Sequence, residues 1–192
     1  DNFDVIRTQG LSSFENILLS LYPEERADVL IITYGGMVEL AAECTYEVFM
    51  DEEILVNILA LGAVRPLAED YIIEQAKIVG RVLVLEEGHK IGGWGAEVSS
   101  ILHENIFSSL YKPVVRLGAE DCPIPSAMPI ESEVLPTIKK LKKKLLKSSS
   151  SGEQAKIIKQ IDSIANKMEN NQKQSVKVTK SRIKERKAKS KR

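Results

Sequence analysis

The chain has 192 residues, 43% of them hydrophobic, which is enough for a real core in one medium domain with an appendage. Its net charge of zero hides two opposite parts: residues 1–138 hold 8 Lys and Arg against 23 Asp and Glu, a net of −15, whereas residues 139–192 hold 19 against 4, a net of +15. No apolar run is long enough to span a bilayer and no signal peptide opens the chain, so no membrane partner is expected, and two cysteines, Cys44 and Cys122, fit a reduced intracellular protein better than a disulfide framework.

Residues 1–27 read as a lead-in. The chain starts at Asp1 rather than Met, which fits a processed start or an internal domain border. Residues 3–7 suit a short edge strand, and Ser12-Ser13-Phe14-Glu15 carries a capping-box pattern that predicts a short helix through Ile17, Leu18 and Leu19. Residues 28–34 (DVLIITY) predict a buried strand, Gly35-Gly36 a tight turn, and residues 37–50 a helix. That helix places Val38, Ala41, Ala42, Thr45 and Phe49 on its inner face, with Glu39, Glu43 and Glu47 on a solvated one. A second strand follows at residues 54–61 (ILVNILAL), then a helix with Pro66 in its first turn and Gly80 at its end.

The centre of the chain is residues 81–98, RVLVLEEGHKIGGWGAEV. The run Val82 to Leu85, closed by Glu86, predicts a strand covered on both faces. Glu87 and Gly88 open a loop through Gly92, Gly93 and Gly95, and a helix runs from Ala96 to about residue 110 with Val98, Ile101, Leu102, Asn105 and Ile106 inward. Residues 113–117 (PVVRL) predict the last strand, and a loop with Pro123, Pro125 and Pro129 leads to a helix over 133–146. Strands alternating with helices at these lengths imply right-handed crossovers in a mostly parallel, doubly wound sheet.

The character changes after this body, taken as residues 28–147. Residues 148–152 (SSSSG) have the composition of a flexible linker. Ile157, Ile161, Ile164 and Met168 mark an amphipathic helix over 153–170, and residues 171–192 form a Lys-rich tail predicted to be disordered.

The loop after the central strand lies where open α/β folds place ligands and partners, at the carboxyl edge of the sheet. Its glycines fit neither GxGxxG nor the P-loop spacing, and Glu86 and Glu87 would repel phosphate. Gly92, Gly93 and Gly95 instead suit positive φ or close backbone approach. His89, beside two carboxylates, is either a proton carrier or a loop residue without a duty. Trp94 is a candidate interface anchor, or else packs back on its own domain. The lysines of 139–147 (KKLKKKLLK) sit among Ile138, Leu141 and Leu145, as a docked last helix with snorkelling lysines or as a basic amphipathic surface. No Ser/His/Asp order, metal-ligand spacing or His/Cys cluster appears.

Three segments together, DVLIITYGGMVELA, VLVLEEGHKIGGWGAEV and PVVRLGAEDCPIP, resemble the C-terminal domain of the transketolase superfamily. The order EEGH, GG-x-GAE, P-V-x-R, D-x-P-x-P is most similar to the beta subunit of thiamine-diphosphate-dependent 2-oxo acid dehydrogenases. The resemblance covers residues 28–146. It implies a three-layer α/β/α domain with a five-stranded, mostly parallel sheet whose first strand is antiparallel, with residues 3–7 as its source. It also implies that thiamine diphosphate and magnesium are held by other domains of the full enzyme, so that this chain alone supplies no catalytic, cofactor-binding or metal-binding residue.

The implied role is a subunit interface in a homo- or hetero-oligomer with the thiamine-binding domains or subunit, carried by Glu86, Glu87, His89, Gly92, Gly93 and Trp94. In the family the domain's C-terminal end also helps bind the acyltransferase core; here a basic extension follows it. The implied location is the cytoplasm or the mitochondrial or plastid matrix. Two other readings stand beside this one: a transketolase or deoxyxylulose-phosphate synthase, which shares the fold, and a non-enzymatic module whose basic tail binds nucleic acid or acidic protein.

Overall fold

A computed structural model describes residues 3–9 and 14–149. The chain divides into two units, residues 1–152 and 153–192; the second, with the predicted amphipathic helix and basic tail, lies outside the described residues.

The first unit begins with β1 (Asp4–Gln9) and β2 (Glu15–Ser20), then β3 (Val29–Thr33), α1 (Met37–Glu52), β4 (Val56–Ala60), α2 (Glu69–Val79) and β5 (Val82–His89). It continues with α3 (Trp94–Ile106), a 3-10 turn (Phe107–Ser109), β6 (Val115–Ala119), α4 (Met128–Val134) and α5 (Ile138–Ser148). One sheet of order β1-β2-β4-β3-β5-β6 holds all six strands. The pairs β4-β3, β3-β5 and β5-β6 are parallel, while β1-β2 and β2-β4 are antiparallel.

Strand alternation sorts the core into two layers. Leu30, Ile32, Val82 and Val84 pack with Ile72, Ala76, Val98 and Leu102 of α2 and α3. Val29, Ile31, Leu83 and Leu85 pack on the other face with Ala41, Cys44, Val48, Leu141 and Leu145 of α1 and α5. Both faces of the central strands are covered, as their unbroken apolar runs require. The expected α/β/α architecture is therefore present, with six strands rather than five.

The sixth strand is β2, where the capping-box pattern pointed to a short helix. Ile17, Leu18 and Leu19 register against Ala60, Leu59 and Ile58 of β4. Their burial alternates along the strand, so sheet pairing overrides a local start signal whose residues Ser12 and Ser13 lie outside the described ones.

Other boundaries move for local reasons. The helix expected over 133–146 is two helices, because Pro136 has no amide proton and holds Leu135 extended at ψ 159°. Pro66 follows a cis peptide bond in the loop before α2 rather than sitting in its first turn. Asn105 is exposed and turns its Nδ2 back onto the Ile101 carbonyl at 2.8 Å instead of facing inward. On α1, Cys44 and Val48 are fully buried, a deeper position than the half-buried Val38 and Phe49. Glu39, Glu43 and Glu47 are exposed as expected. Lys142 of α5 pairs with Asp51 of α1, so part of the basic helix is tied to the acidic one. No described helix is long and apolar enough to cross a membrane.

Candidate functional site at the carboxyl edge

β5 runs three residues beyond the expected end at Glu86 and carries Glu87, Gly88 and His89 as strand. A shift in its register with β6 falls between Leu85 and His89. There the polar sequence EEGH is accommodated without ending the strand, since a bulge re-aims side chains while the ladder resumes.

Glu86 is the organising residue. It is 1% exposed, its Oε2 accepts the Gly95 amide at 3.0 Å, and its Oε1 lies 3.5 Å from Nη2 of Arg116 on β6. Arg116 also donates to the Lys90 carbonyl. One carboxylate thus links the end of β5 to the first turn of α3 and to β6. Burying it requires such partners, because an unpaired buried charge is strongly unfavourable.

The glycines fit around this carboxylate. A Cβ on Gly93 would lie 2.6 Å from Glu86 Oε2, and one on Gly95 would lie 2.7 Å from Oε1. Close approach, rather than an open anion cradle, explains both residues. Gly92 differs: it has φ +67° and open space around it, so the turn itself selects glycine there.

The remaining predicted positions separate. Glu87 is exposed at the end of β5. His89 is half-buried, with Nδ1 2.8 Å from the Glu120 carbonyl, and no hydrogen bond or ion pair joins it to Glu86 or Glu87 among the described residues. That bond fixes the ring against the loop after β6. Trp94 begins α3 rather than standing at a loop tip. It is half-buried on the core, edge-on to Tyr34 with ring centroids 4.8 Å apart.

Sequence reasoning named neither Arg65 nor Ile91, and read Tyr34 and Arg116 only as parts of a strand and a motif, not of this site. Tyr34 follows the last residue of β3 and could have been found as the end of a buried strand at the same sheet edge. Burial, then Glu86 and Glu87, push its phenol above the ordinary range. Ile91, 71% exposed beside the glycines, is the apolar residue of this loop that faces solvent.

β3 and β5 are neighbours whose connections leave toward opposite sides of the sheet, so the crevice at their carboxyl ends is a topological switch point. An open cleft of about 1040 Å³ lies here, lined by Tyr34, Val64, Arg65, Asp70, Trp94 and Glu97 among others. The lining is of mixed charge, Arg65 with Asp70 and Glu97, and the Gly95 amide beside it is taken by Glu86. Among the described residues no group of three or more His, Cys, Asp or Glu is arranged to hold a metal ion. What the edge offers is an aromatic-walled recess with an exposed apolar residue beside it.

Comparison with known proteins matches this architecture. Residues 21–141 match the family model described as transketolase, C-terminal domain. The pyruvate dehydrogenase E1 component subunit beta of Rickettsia felis is 32% identical over 124 residues, covering 61% of this chain and 38% of that protein. The 1-deoxy-D-xylulose-5-phosphate synthase of a Synechococcus strain is 36% identical over 109 residues, covering 57% of this chain and 16% of that protein. A solved structure described as a split gene transketolase, inactive beta4 tetramer, aligns with a TM-score of 0.56 and 25% identity over 68% of this chain and 41% of its own. The chain thus spans well under half of the relatives it matches. With the match running from the end of β2 into α5, through every parallel strand and the loop built on Glu86, the chain belongs to the transketolase C-terminal domain family.

Proposed function

We propose that this chain is the subunit-interface domain of a thiamine-diphosphate-dependent 2-oxo acid dehydrogenase beta subunit, supporting oxidative decarboxylation through assembly rather than by chemistry of its own. The observation that carries this is the Glu86-centred loop. It is held rigid at the sheet's carboxyl edge and presents Ile91 and the Tyr34–Trp94 wall, yet it leaves no free cradle for a phosphate. Preorganised apolar surface suits docking to another protein element, since little order is lost on binding. Similarity to the dehydrogenase beta subunits favours this class. In this reading thiamine diphosphate and magnesium are held by other domains or a second subunit, and the acyltransferase core is a further partner.

The similarity to 1-deoxy-D-xylulose-5-phosphate synthases supports a second reading, in which the same domain serves a sugar-phosphate-forming thiamine enzyme. The test begins with the chain alone. Calorimetric titration with thiamine diphosphate and magnesium is expected to give no heat of binding. Adding the chain that supplies the thiamine-binding domains is expected to restore decarboxylation of a 2-oxo acid. Ile91→Asp should weaken that assembly by about 2 kcal/mol, the scale of an interface anchor. Tight, magnesium-dependent binding by the chain alone overturns the reading.

A further inference from the structure

At the opposite, amino-terminal edge of the sheet, two arginines converge on one tyrosine. Arg26, in the loop before β3, donates from Nη2 to the Tyr111 hydroxyl at 2.8 Å and to the Val79 carbonyl at 3.4 Å. Arg81, the residue before β5, has its guanidinium carbon 4.8 Å from the centre of the same ring, and that of Arg26 lies 5.6 Å from it. Tyr111 is fixed by its own amide, which donates to the Gly80 carbonyl at 2.8 Å. Gly80 has φ +77°, and a Cβ there would lie 2.8 Å from the tyrosine ring, so glycine both ends α2 and admits the aromatic.

Part of this cluster is explained by the fold. The carboxyl end of α2 concentrates partial negative charge, which Arg26 offsets through Val79. Arg81 is surplus to that need. Its carbonyl accepts the Leu30 amide, but its guanidinium makes no hydrogen bond to any described residue, and the buried Nε is without a partner. No carboxylate among the described residues lies within ion-pair distance of either arginine. Two like charges beside one ring repel each other, the Arg81 guanidinium gains only a cation–π contact there, and a guanidinium carries five donors that need acceptors. Tyr111 is 57% exposed and Arg26 is exposed, so the site is open to solvent.

We infer that Arg26, Arg81 and Tyr111 form a binding site for a phosphate-type oxyanion, separate from the carboxyl-edge cleft. Such an ion supplies several acceptor oxygens at once, matches the planar fork of a guanidinium, and neutralises the second arginine. The inference does not rest on the dehydrogenase reading. The free ion and a phosphate ester present the same oxygens.

The experiment is an NMR titration of the full chain with inorganic phosphate at constant ionic strength, following the amides of Gly80, Arg81 and Tyr111. The indole proton of Trp94, at the other end of the sheet, reports any global change. Saturable shifts at the three amides with a still Trp94 are expected. Arg81→Gln should weaken binding about tenfold, the effect of losing one charged hydrogen-bonding partner. Arg81→Lys, which keeps charge but not the planar fork, should weaken it less. A parallel titration with a phosphoserine peptide separates the sources: tighter binding of the peptide assigns the site to a phosphorylated partner, equal binding to the free ion. Absence of saturation, equal shifts produced by chloride, or an unchanged titration in Arg81→Gln overturns the inference.

Discussion

The Oε2 of Glu86 accepts the backbone amide of Gly95 at 3.0 Å, nine residues along the chain. That bond turns the connection between β5 and α3 into a closed loop around a buried carboxylate. A charge in this position is held by its partners, so removing either side leaves the other uncompensated.

Glu86→Ala is therefore expected to destabilise the domain by about 3 kcal/mol, because Arg116 loses its ion pair and the Gly95 amide loses its acceptor. Glu86→Gln keeps the acceptor and should cost about 1–2 kcal/mol. Urea unfolding of the three proteins checks the order. Equal midpoints for both variants would show that the carboxylate does not organise the loop.

The loop glycines are predicted to differ from one another. Gly93→Ala places a methyl 2.6 Å from Glu86 Oε2 and against the His89 carbonyl, so the loop must shift; a loss of about 3 kcal/mol is expected. Gly92→Ala meets nothing within 4 Å and carries only the cost of positive φ, about 1–2 kcal/mol. Thermal melts ranking Gly92→Ala as the worse variant would contradict this packing.

Helix α1 ends on Glu53 in the left-handed region, φ 55° and ψ 31°, with its amide donating to the Phe49 carbonyl at 3.0 Å. Glycine occupies that region without steric cost, so Glu53→Gly should raise stability by up to about 1 kcal/mol. A lower urea midpoint in the variant would show that the exposed Glu53 side chain contributes more than the backbone strain costs.

Cys44 offers a pH test. Burial, then the Glu47 carboxylate, push its thiol up to about 12 from an ordinary 9.0, with Lys142 partly opposing. The folded chain then keeps the proton while the unfolded chain releases it. The associated stability is complete below pH 9 and falls as pH rises toward 12, by up to about 1.4 kcal/mol per unit. Wild-type stability relative to Cys44→Ala should be flat below pH 9 and decline above it; parallel curves throughout would refute the assignment. Exposed Cys122 should react with a thiol reagent in the native state, and Cys44 should not.

The parallel half of the sheet was legible in the amino-acid sequence. Runs such as VLII and VLVL are apolar at every position, which only a strand covered on both faces tolerates, and the helices between them dictate parallel pairing. The three motif segments also sufficed to identify the family. What the sequence concealed was decided by contacts distant along the chain. Ile17, Leu18 and Leu19 become a strand because β4 offers an edge in register far along the chain, pairing them with Ala60, Leu59 and Ile58, an interaction no local pattern records. Glu86 looked like the polar end of a strand, yet Arg116, brought alongside on β6, makes its burial tolerable. Trp94 looked like a loop tip until the Glu86–Gly95 bond drew the first turn of α3 down onto Tyr34. Periodicity reports which face of an element is apolar, whereas the partner of a buried charge is fixed only when the tertiary fold places the two together.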